Sequence, residues 1–294
     1  VRVLITGGGG MLGSAVLPAF IAAGHKVDAT DLVPREGISF LDVRDYVAIQ
    51  QAISYTDPDI ILHLAAETDL ERCEMDRDHA WLTNAVGTQN VALIAAQYDI
   101  PMVYISTAGV FDGTKATAYD EFDRPNPINV YGASKYAGER SVRQLRKHFI
   151  VRAGWMIGGH ALDHKFVSKV IAQLDAGAGI IRAVDDKWGT PTYTADFAAN
   201  LLELIETPLY GLYHMTCEGG GTRYDVAKEI VAHLGRTDVT VVTASSKLFA
   251  MEYFAPRPRS EMMVNYMLAL RGLNRMRPWR EALRAYLSSS SEGT

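Results

Sequence analysis

The sequence predicts an α/β chain built on a doubly wound parallel sheet, the Rossmann arrangement, with a smaller and partly interleaved C-terminal lobe. Three observations carry this. Through the first half, short apolar runs alternate with helical patterns, and strands separated by helices pair in parallel with helices on both faces. The first run, "VRVLIT", leads straight into the glycine-rich "TGGGGMLGS" and then into a helical pattern. After about Trp155 the alternation loosens, as expected where a second unit begins.

In chain order, Val1–Thr6 reads as a buried strand. "MLGSAVLPAFIAAG" reads as a helix ending at Gly24, with Pro18 a kink position. Lys26–Thr30 is a second strand and Asp59–Ala66 another. A long helical pattern follows from about Asp78 to Tyr98, then a strand over Pro101–Ser106. A helix is expected from near Asn129 to about His148, and "FIVRA" follows as a strand. Beyond that, helical patterns cover Phe166–Ala176, Thr194–Glu206 and Tyr224–Leu234. Short strands fit Ile180–Val184, Leu212–Met215 and Val239–Val242.

Composition narrows the function. With 48% hydrophobic and 21% charged residues in 294, the chain has the make-up of a soluble globular protein. Its net charge is -5 and no basic stripe occurs, so nucleic acid is not an expected partner. No apolar run reaches the roughly 18 residues of a membrane span, and the N-terminal run is too short for a signal peptide. Cys73 and Cys217 match no metal or redox spacing, which points to two buried or half-buried thiols in a reducing cytoplasm. His63, inside an apolar strand, reads as a core histidine. His160, Asp163 and His164 read as a solvated loop, so no metal is expected.

Gly7, Gly10 and Gly13 stand in a G-x-x-G-x-x-G spacing. The first permits a tight turn, the second lets backbone approach a pyrophosphate, and the third lets the helix pack on the strand. The helix N-terminus, with Met11 and Leu12 in the turn, offers N–H groups and a positive dipole end to phosphates. Asp31 ends the second strand, where an acid can bond ribose hydroxyls. It favours NAD over NADP, and Arg35 softens that preference. Asp42 and Val43 fall where an adenine would lie. Leu64, Ala65 and Ala66 end the "HLAA" strand, with small residues that let a cofactor lie close; Thr68 follows. The expected organisation is an NAD(P)-binding domain over 1–155, with segments near 190–206 returning to it. A substrate-binding lobe covers 156–287, and 288–294 is a disordered polar tail.

"NVYGASKYAG" puts Tyr131 and Lys135 on one helical face with small residues between them. A free tyrosine, with a pKa near 10, is a poor acid–base group. A lysine cation beside it favours the phenolate and lowers that pKa. The pair can then exchange a proton with a carbonyl or alcohol oxygen during hydride transfer. Ser106 and Thr107, at the end of a strand, supply hydroxyls to hold that oxygen.

With these residues in view, the chain resembles the extended short-chain dehydrogenases/reductases, and within them the dTDP-4-dehydrorhamnose reductases. The stretches that carry the resemblance are "ISTAGVFDGTKATAYDEFDRPNPINVYGASKYAGE", "VRAGWMIGG", "DDKWGTPTYTADFA" and "GLYHMT". The resemblance implies an NAD(P)-dependent oxidoreductase acting on a nucleotide-linked 4-keto-6-deoxysugar. Tyr131 would be the proton donor, Lys135 its partner and ribose ligand, and Thr107 the carbonyl-binding hydroxyl. Ser106 and Asn84 would lie near the cofactor, and Thr68, Ala108, Gly109 and Trp155 near the sugar. The chain departs from the family at two places. Ala108 and Gly109 stand where an Asp-Tyr pair is usual, and those positions are expected to face the sugar. "RPRSE" stands where Arg-Pro-x-Asn-Ser is usual, with Arg257 still able to grip a phosphate. A sugar-nucleotide epimerase stays open, since it needs only the tyrosine and the hydroxyl. So does a non-catalytic subunit resembling the regulatory partner of methionine adenosyltransferase. A homodimer is left open as well.

Overall fold

The computed structural model describes residues 1–289. Strand β1 (Arg2–Thr6) feeds helix α1 (Gly13–Ala22), and β2 (Lys26–Asp31) and β3 (Ile38–Phe40) lead to α2 (Tyr46–Thr56) and β4 (Ile60–His63). Two short helices, α3 (Leu70–Met75) and α4 (Arg77–Trp81), precede a π-helical stretch over Leu82–Gly87 and α5 (Thr88–Gln97). Then come β5 (Met102–Thr107), α6 (Val130–Val142), β6 (His148–Ala153) and β7 (Trp155–Ile157). The C-terminal part holds α7 (Phe166–Asp175), β8 (Ile180–Val184), β9 (Trp188–Gly189), β10 (Pro191–Tyr193), α8 (Thr194–Ile205) and β11 (Gly211–Met215). It ends with β12 (Gly221–Thr222), α9 (Arg223–His233), β13 (Thr240–Ala244), β14 (Ser260–Glu261), α10 (Tyr266–Leu270) and α11 (Trp279–Ser289).

Seven strands form the main sheet, in the order β11-β6-β5-β4-β1-β2-β3, every pair parallel. The pleat sends alternate residues to opposite faces. Val3 and Ile5 enter one core with Val103, Ile105 and Val151. Leu4 enters the other with Ile61, Met102, Tyr104 and Ile150. Both faces are therefore apolar, which is why the strands read as unbroken hydrophobic runs. Strand order reverses between β1 and β4, and ligands of such sheets sit outside the carboxyl ends of the strands at that switch.

The C-terminal half returns to this frame. β11 extends the sheet beside β6. Helices α7, α8, α9 and α11 share one continuous core with α1 and the sheet. In α11, Trp279, Ala282, Leu283, Tyr286 and Leu287 bury a stripe at helical spacing, a pattern the sequence reading passed over. Ser288 and Ser289 end that helix rather than starting a tail; residues 290–294 lie outside the described residues.

Other boundaries shift for physical reasons. The helix expected over 78–98 divides around the π turn. It passes so close to β3's exit loop that a Cβ at Gly87 would lie 2.8 Å from Val43 Cγ2. α2 and β3 were not foreseen, although Asp45 caps α2 by accepting the Ala48 N–H and Ile49 and Ile53 bury one turn apart. α1 runs unbroken through Pro18. α6 stops at Val142, short of His148. Asp163 is buried, accepting the Lys165 N–H and the Tyr286 hydroxyl, so its loop is not wholly solvated. Cys73 and Cys217 are both buried free thiols. His63 is wholly buried between Thr6 and Thr88 hydroxyls, and burial lowers its pKa to about 3.

Candidate active site

Three elements converge at the carboxyl edge of the sheet. Thr107 closes β5, Tyr131 lies in the first turn of α6, and Lys135 lies one turn on. The start of α6 is fixed twice over. Asn129 accepts the Gly132 N–H at 2.7 Å while donating to Pro256 O at 2.8 Å. Glu74 of α3 accepts the Val130 N–H at 2.8 Å. Such capping satisfies orphan donors and sets the direction of the first turn. The Tyr131 ring packs against Cys73, Ala80 and Val130, and Thr107 lies beside it: a Cβ at Gly109 would be 3.4 Å from Thr107 Oγ1 and 3.6 Å from Tyr131 Cδ1.

The electrostatics differ from the expectation of an acidified tyrosine. Burial, only partly offset by the Thr107 hydroxyl, pushes the Tyr131 phenol up to about 12. Lys135 is 3% exposed, and its Nζ lies 4.2 Å from the Tyr104 ring centroid, a cation–π seat. Burial lowers its pKa to about 7 against the pull of Glu139 one turn further along. In the protein alone, desolvation outweighs any acidifying neighbour, so Tyr131 keeps its proton at neutral pH.

Two residues expected near the cofactor are engaged elsewhere. Ser106 donates to Glu139 Oε1 at 2.6 Å. Glu139 in turn takes a two-pronged pair from Arg152, both contacts 2.8 Å, with both side chains wholly buried. Ser106 thus belongs to the clamp that holds α6 on β6, because its strand neighbour Thr107 takes the alternate, outward direction. Asn84 is wholly buried in the π turn. It accepts the Glu67 N–H at 2.8 Å and donates to Glu67 O at 3.0 Å and Ser134 Oγ at 3.1 Å. It ties the β4 exit loop to the helix carrying Tyr131 and Lys135.

The glycine turn has the features of a phosphate cradle. Gly7 has φ +74°, and a Cβ there would lie 2.4 Å from Ala65 N, so Gly7 meets the Leu64–Ala66 segment backbone to backbone. At Gly13 a Cβ would lie 2.1 Å from Gly8 O, while at Gly10 the nearest atom is Gly7 O at 3.5 Å. Gly10 is exposed and Leu12 is buried. No side chain caps the N-terminus of α1, and no acid lies in its first turn; the Ser14 and Ala15 N–H groups go to Gly10 O and Leu12 O, which leaves those of Met11, Leu12 and Gly13 to face an anion. Asp31 accepts the Gly9 and Val33 N–H groups at 3.0 and 3.2 Å. A Cβ at Gly9 would meet both Asp31 Oδ2 and Arg35 Nη2 within 3.2 Å. Asp42 is gripped by Arg44, which holds its carboxyl below the usual range, and Val43 is packed in the core. Met11 abuts the Gly158–Gly159 turn, where a Cβ at Gly159 would lie 2.9 Å from Met11 Cγ.

At the expected sugar end the picture divides. Gly109 borders the site, since a Cβ there would lie 3.4 Å from Thr107 Oγ1 and 3.6 Å from Tyr131 Cδ1. Ala108 does not: it packs in a small buried cluster with Val110, Phe111, Tyr119 and Met263, because the 3-10 turn after Thr107 directs it inward. Thr68 is exposed. The Arg257 guanidinium is bidentate to Glu71 at 2.7 and 2.9 Å, so any phosphate would compete with that pair. Trp155 is held tightly. Its Nε1 donates to Glu261 Oε2 at 2.8 Å, and the Arg223 guanidinium lies 3.8 Å from its ring centroid. Reading the sequence did not single out Arg223, and gave Glu261 no role, because both reach the site from segments far along the chain. For Glu139 a signal existed: it continues the i, i+4 series of Tyr131 and Lys135.

The nucleotide-type sheet, the glycine turn at its switch point and the Thr–Tyr–Lys set define a class, the extended short-chain dehydrogenases/reductases. Within that class the chain belongs to the family of the RmlD substrate binding domain, whose family model matches residues 1–291. A dTDP-4-dehydrorhamnose reductase of Mycolicibacterium smegmatis is 32% identical over 96% of this chain and 84% of its own length. A dTDP-4-keto-6-deoxy-D-glucose reductase of Streptomyces niveus is 31% identical over 96% of this chain and 95% of its own. The crystal structure of dTDP-4-dehydrorhamnose reductase from Bacillus anthracis in complex with NADP superposes with a TM-score of 0.89 and 35% identity, covering 98% of this chain and 99% of that one. Among the described residues no cluster of metal-ligating side chains occurs, and no helix is long and apolar enough to cross a membrane.

Proposed function

We propose that this chain is an NAD(P)H-dependent reductase of a nucleotide-linked 4-keto-6-deoxysugar. The observation that carries the reading is the meeting of Thr107 and Tyr131 at Gly109, with Lys135 one turn on, at the sheet edge that also bears the glycine turn. That turn fits a dinucleotide: a Cβ at exposed Gly10 would meet only Gly7 O, at 3.5 Å, and no side chain caps the helix end behind it. Gly7, Gly10, Met11 and Gly13 would hold the pyrophosphate, and Asp31 the adenosine ribose. The bound nicotinamide supplies a hydride.

The protein's own part follows from the site. Thr107 donates to the keto oxygen and orients it beside the phenol. Tyr131, kept neutral by burial, gives its proton as that oxygen becomes an alkoxide. The phenolate left behind lies one helical turn from Lys135, whose cationic form it then stabilises. The carboxylate of Asp31 leans the preference toward NADH. Arg35, beside the same turn, leaves a 2′-phosphate acceptable.

The test is direct. Purified protein is mixed with NADH or NADPH and a panel of nucleotide 4-keto sugars, and reduced-cofactor absorbance is followed. Oxidation is expected with at least one sugar, and Tyr131→Phe is expected to lower kcat by about 100-fold or more with cofactor affinity kept. Isomer formation without net cofactor use would favour an epimerase. Cofactor binding without turnover of any sugar would favour a regulatory subunit.

A further inference from the structure

Trp155 follows β6 two residues beyond Ala153, which pairs with Thr107 across the sheet. Its indole is constrained from three directions by three other elements. The β9 backbone presses on the ring, where a Cβ at Gly189 would lie 2.1 Å from Trp155 Cε2. From α9, Arg223 stacks on the ring at 3.8 Å. From β14, Glu261 accepts the indole N–H at 2.8 Å. Strand pairing sets that last contact, because Glu261 stands opposite Gly189 in the β14–β9 register.

Glu261 is unusual in its company. The charges of Arg223, Arg257 and Lys187 all act on it, yet among the described residues it forms no ion pair within 4.0 Å. Its one direct bond goes to a neutral indole, through Oε2, and Oε1 stays uncommitted among the described residues. It stands against the indole of Trp155, itself two residues beyond the strand partner of Thr107, and its charge also acts on the Tyr131 phenol. Beside Thr107 and Tyr131, Gly109 adds no side chain and Ala108 is turned into a buried cluster.

We propose that Glu261 is a specificity-determining residue of the sugar site: one carboxylate oxygen fixes the Trp155 indole as a rigid wall, and the other accepts a hydrogen bond from a hydroxyl of the bound sugar ring. This rests on the reading of the chain as a nucleotide-sugar reductase. A carboxylate placed here supplies from β14 the polar recognition that the segment after Thr107 does not. A charge-assisted bond of this kind rejects a sugar lacking the matching hydroxyl, because the acceptor would be left unpaired.

The experiment compares Glu261→Gln and Glu261→Ala with wild type and Trp155→Phe. Near-ultraviolet circular dichroism of the protein alone reads the indole: the band lost in Trp155→Phe is expected to persist in Glu261→Gln, whose amide oxygen still accepts, and to flatten in Glu261→Ala. Steady-state kinetics read recognition. In Glu261→Ala the KM for the nucleotide sugar is expected to rise about 10-fold, and in Glu261→Gln about 3-fold, with the KM for NAD(P)H unchanged in both. A band that survives in Glu261→Ala, or a sugar KM that does not move, overturns the proposal. A wild type inactive on every sugar would sink the reductase reading instead, while the dichroism still decides whether Glu261 positions Trp155.

Discussion

A phenol that is to hand over a proton must first keep it, and burial of Tyr131 does that. The same burial acts in the opposite sense on Lys135, lowering its pKa to about 7, against about 10.4 in an unfolded chain. Between those values the unfolded state binds the extra proton, so stability rises with pH across that window. Urea unfolding of wild type and Lys135→Met between pH 7 and 9 checks this. Wild type is expected to gain up to about 1.4 kcal/mol per pH unit relative to the variant, and parallel pH slopes would contradict the assignment. Tyr131, Lys135 and Thr107 were legible in the sequence because a helical spacing and a strand end suffice to find them. The direction of the tyrosine shift was not, since it depends on desolvation by Cys73, Ala80 and Val130, which no spacing reveals. The Ser106 bond to Glu139 was not legible for a related reason: whether a hydroxyl beside Thr107 faces the site or the core depends on the pleat and on what packs behind it.

At the scale of elements, the glycine turn separates two roles that sequence spacing cannot tell apart. Gly13 lets α1 approach Gly8, while Gly10 leaves room for something outside the chain. Gly13→Ala is therefore expected to lose about 3 kcal/mol of stability in denaturant melts. Gly10→Ala is expected to melt like wild type yet bind NAD(P)H about 10-fold more weakly in fluorescence titration. A Gly10→Ala protein that binds as tightly as wild type would contradict the cradle. Strands with unbroken apolar runs were readable to within a residue or two, except that β4 ends at His63, three residues before the expected Ala66. α2 and α11 carried clear i, i+3, i+4 patterns and were passed over. The π turn had no readable signal, because it answers to the close passage of Val43 beside Gly87 and to the Asn84 bonds.

Over the whole molecule, the site is assembled from both halves of one woven core. β11 and α8 return to the sheet and to α1. β9, α9 and β14 bring Gly189, Arg223 and Glu261 to Trp155, joins of long range that a reading along the chain cannot see. On the proposed reading, this assembly passes a hydride from a nicotinamide to a ketone while Tyr131 supplies the proton. The most direct check is to run the reaction with NADPH or NADH carrying deuterium in the transferable position and to locate the label by nuclear magnetic resonance of the product. One deuterium is expected on the former keto carbon of the nucleotide sugar, with one cofactor oxidised per product. Product that forms without label at that carbon, or without cofactor oxidation, would contradict the account.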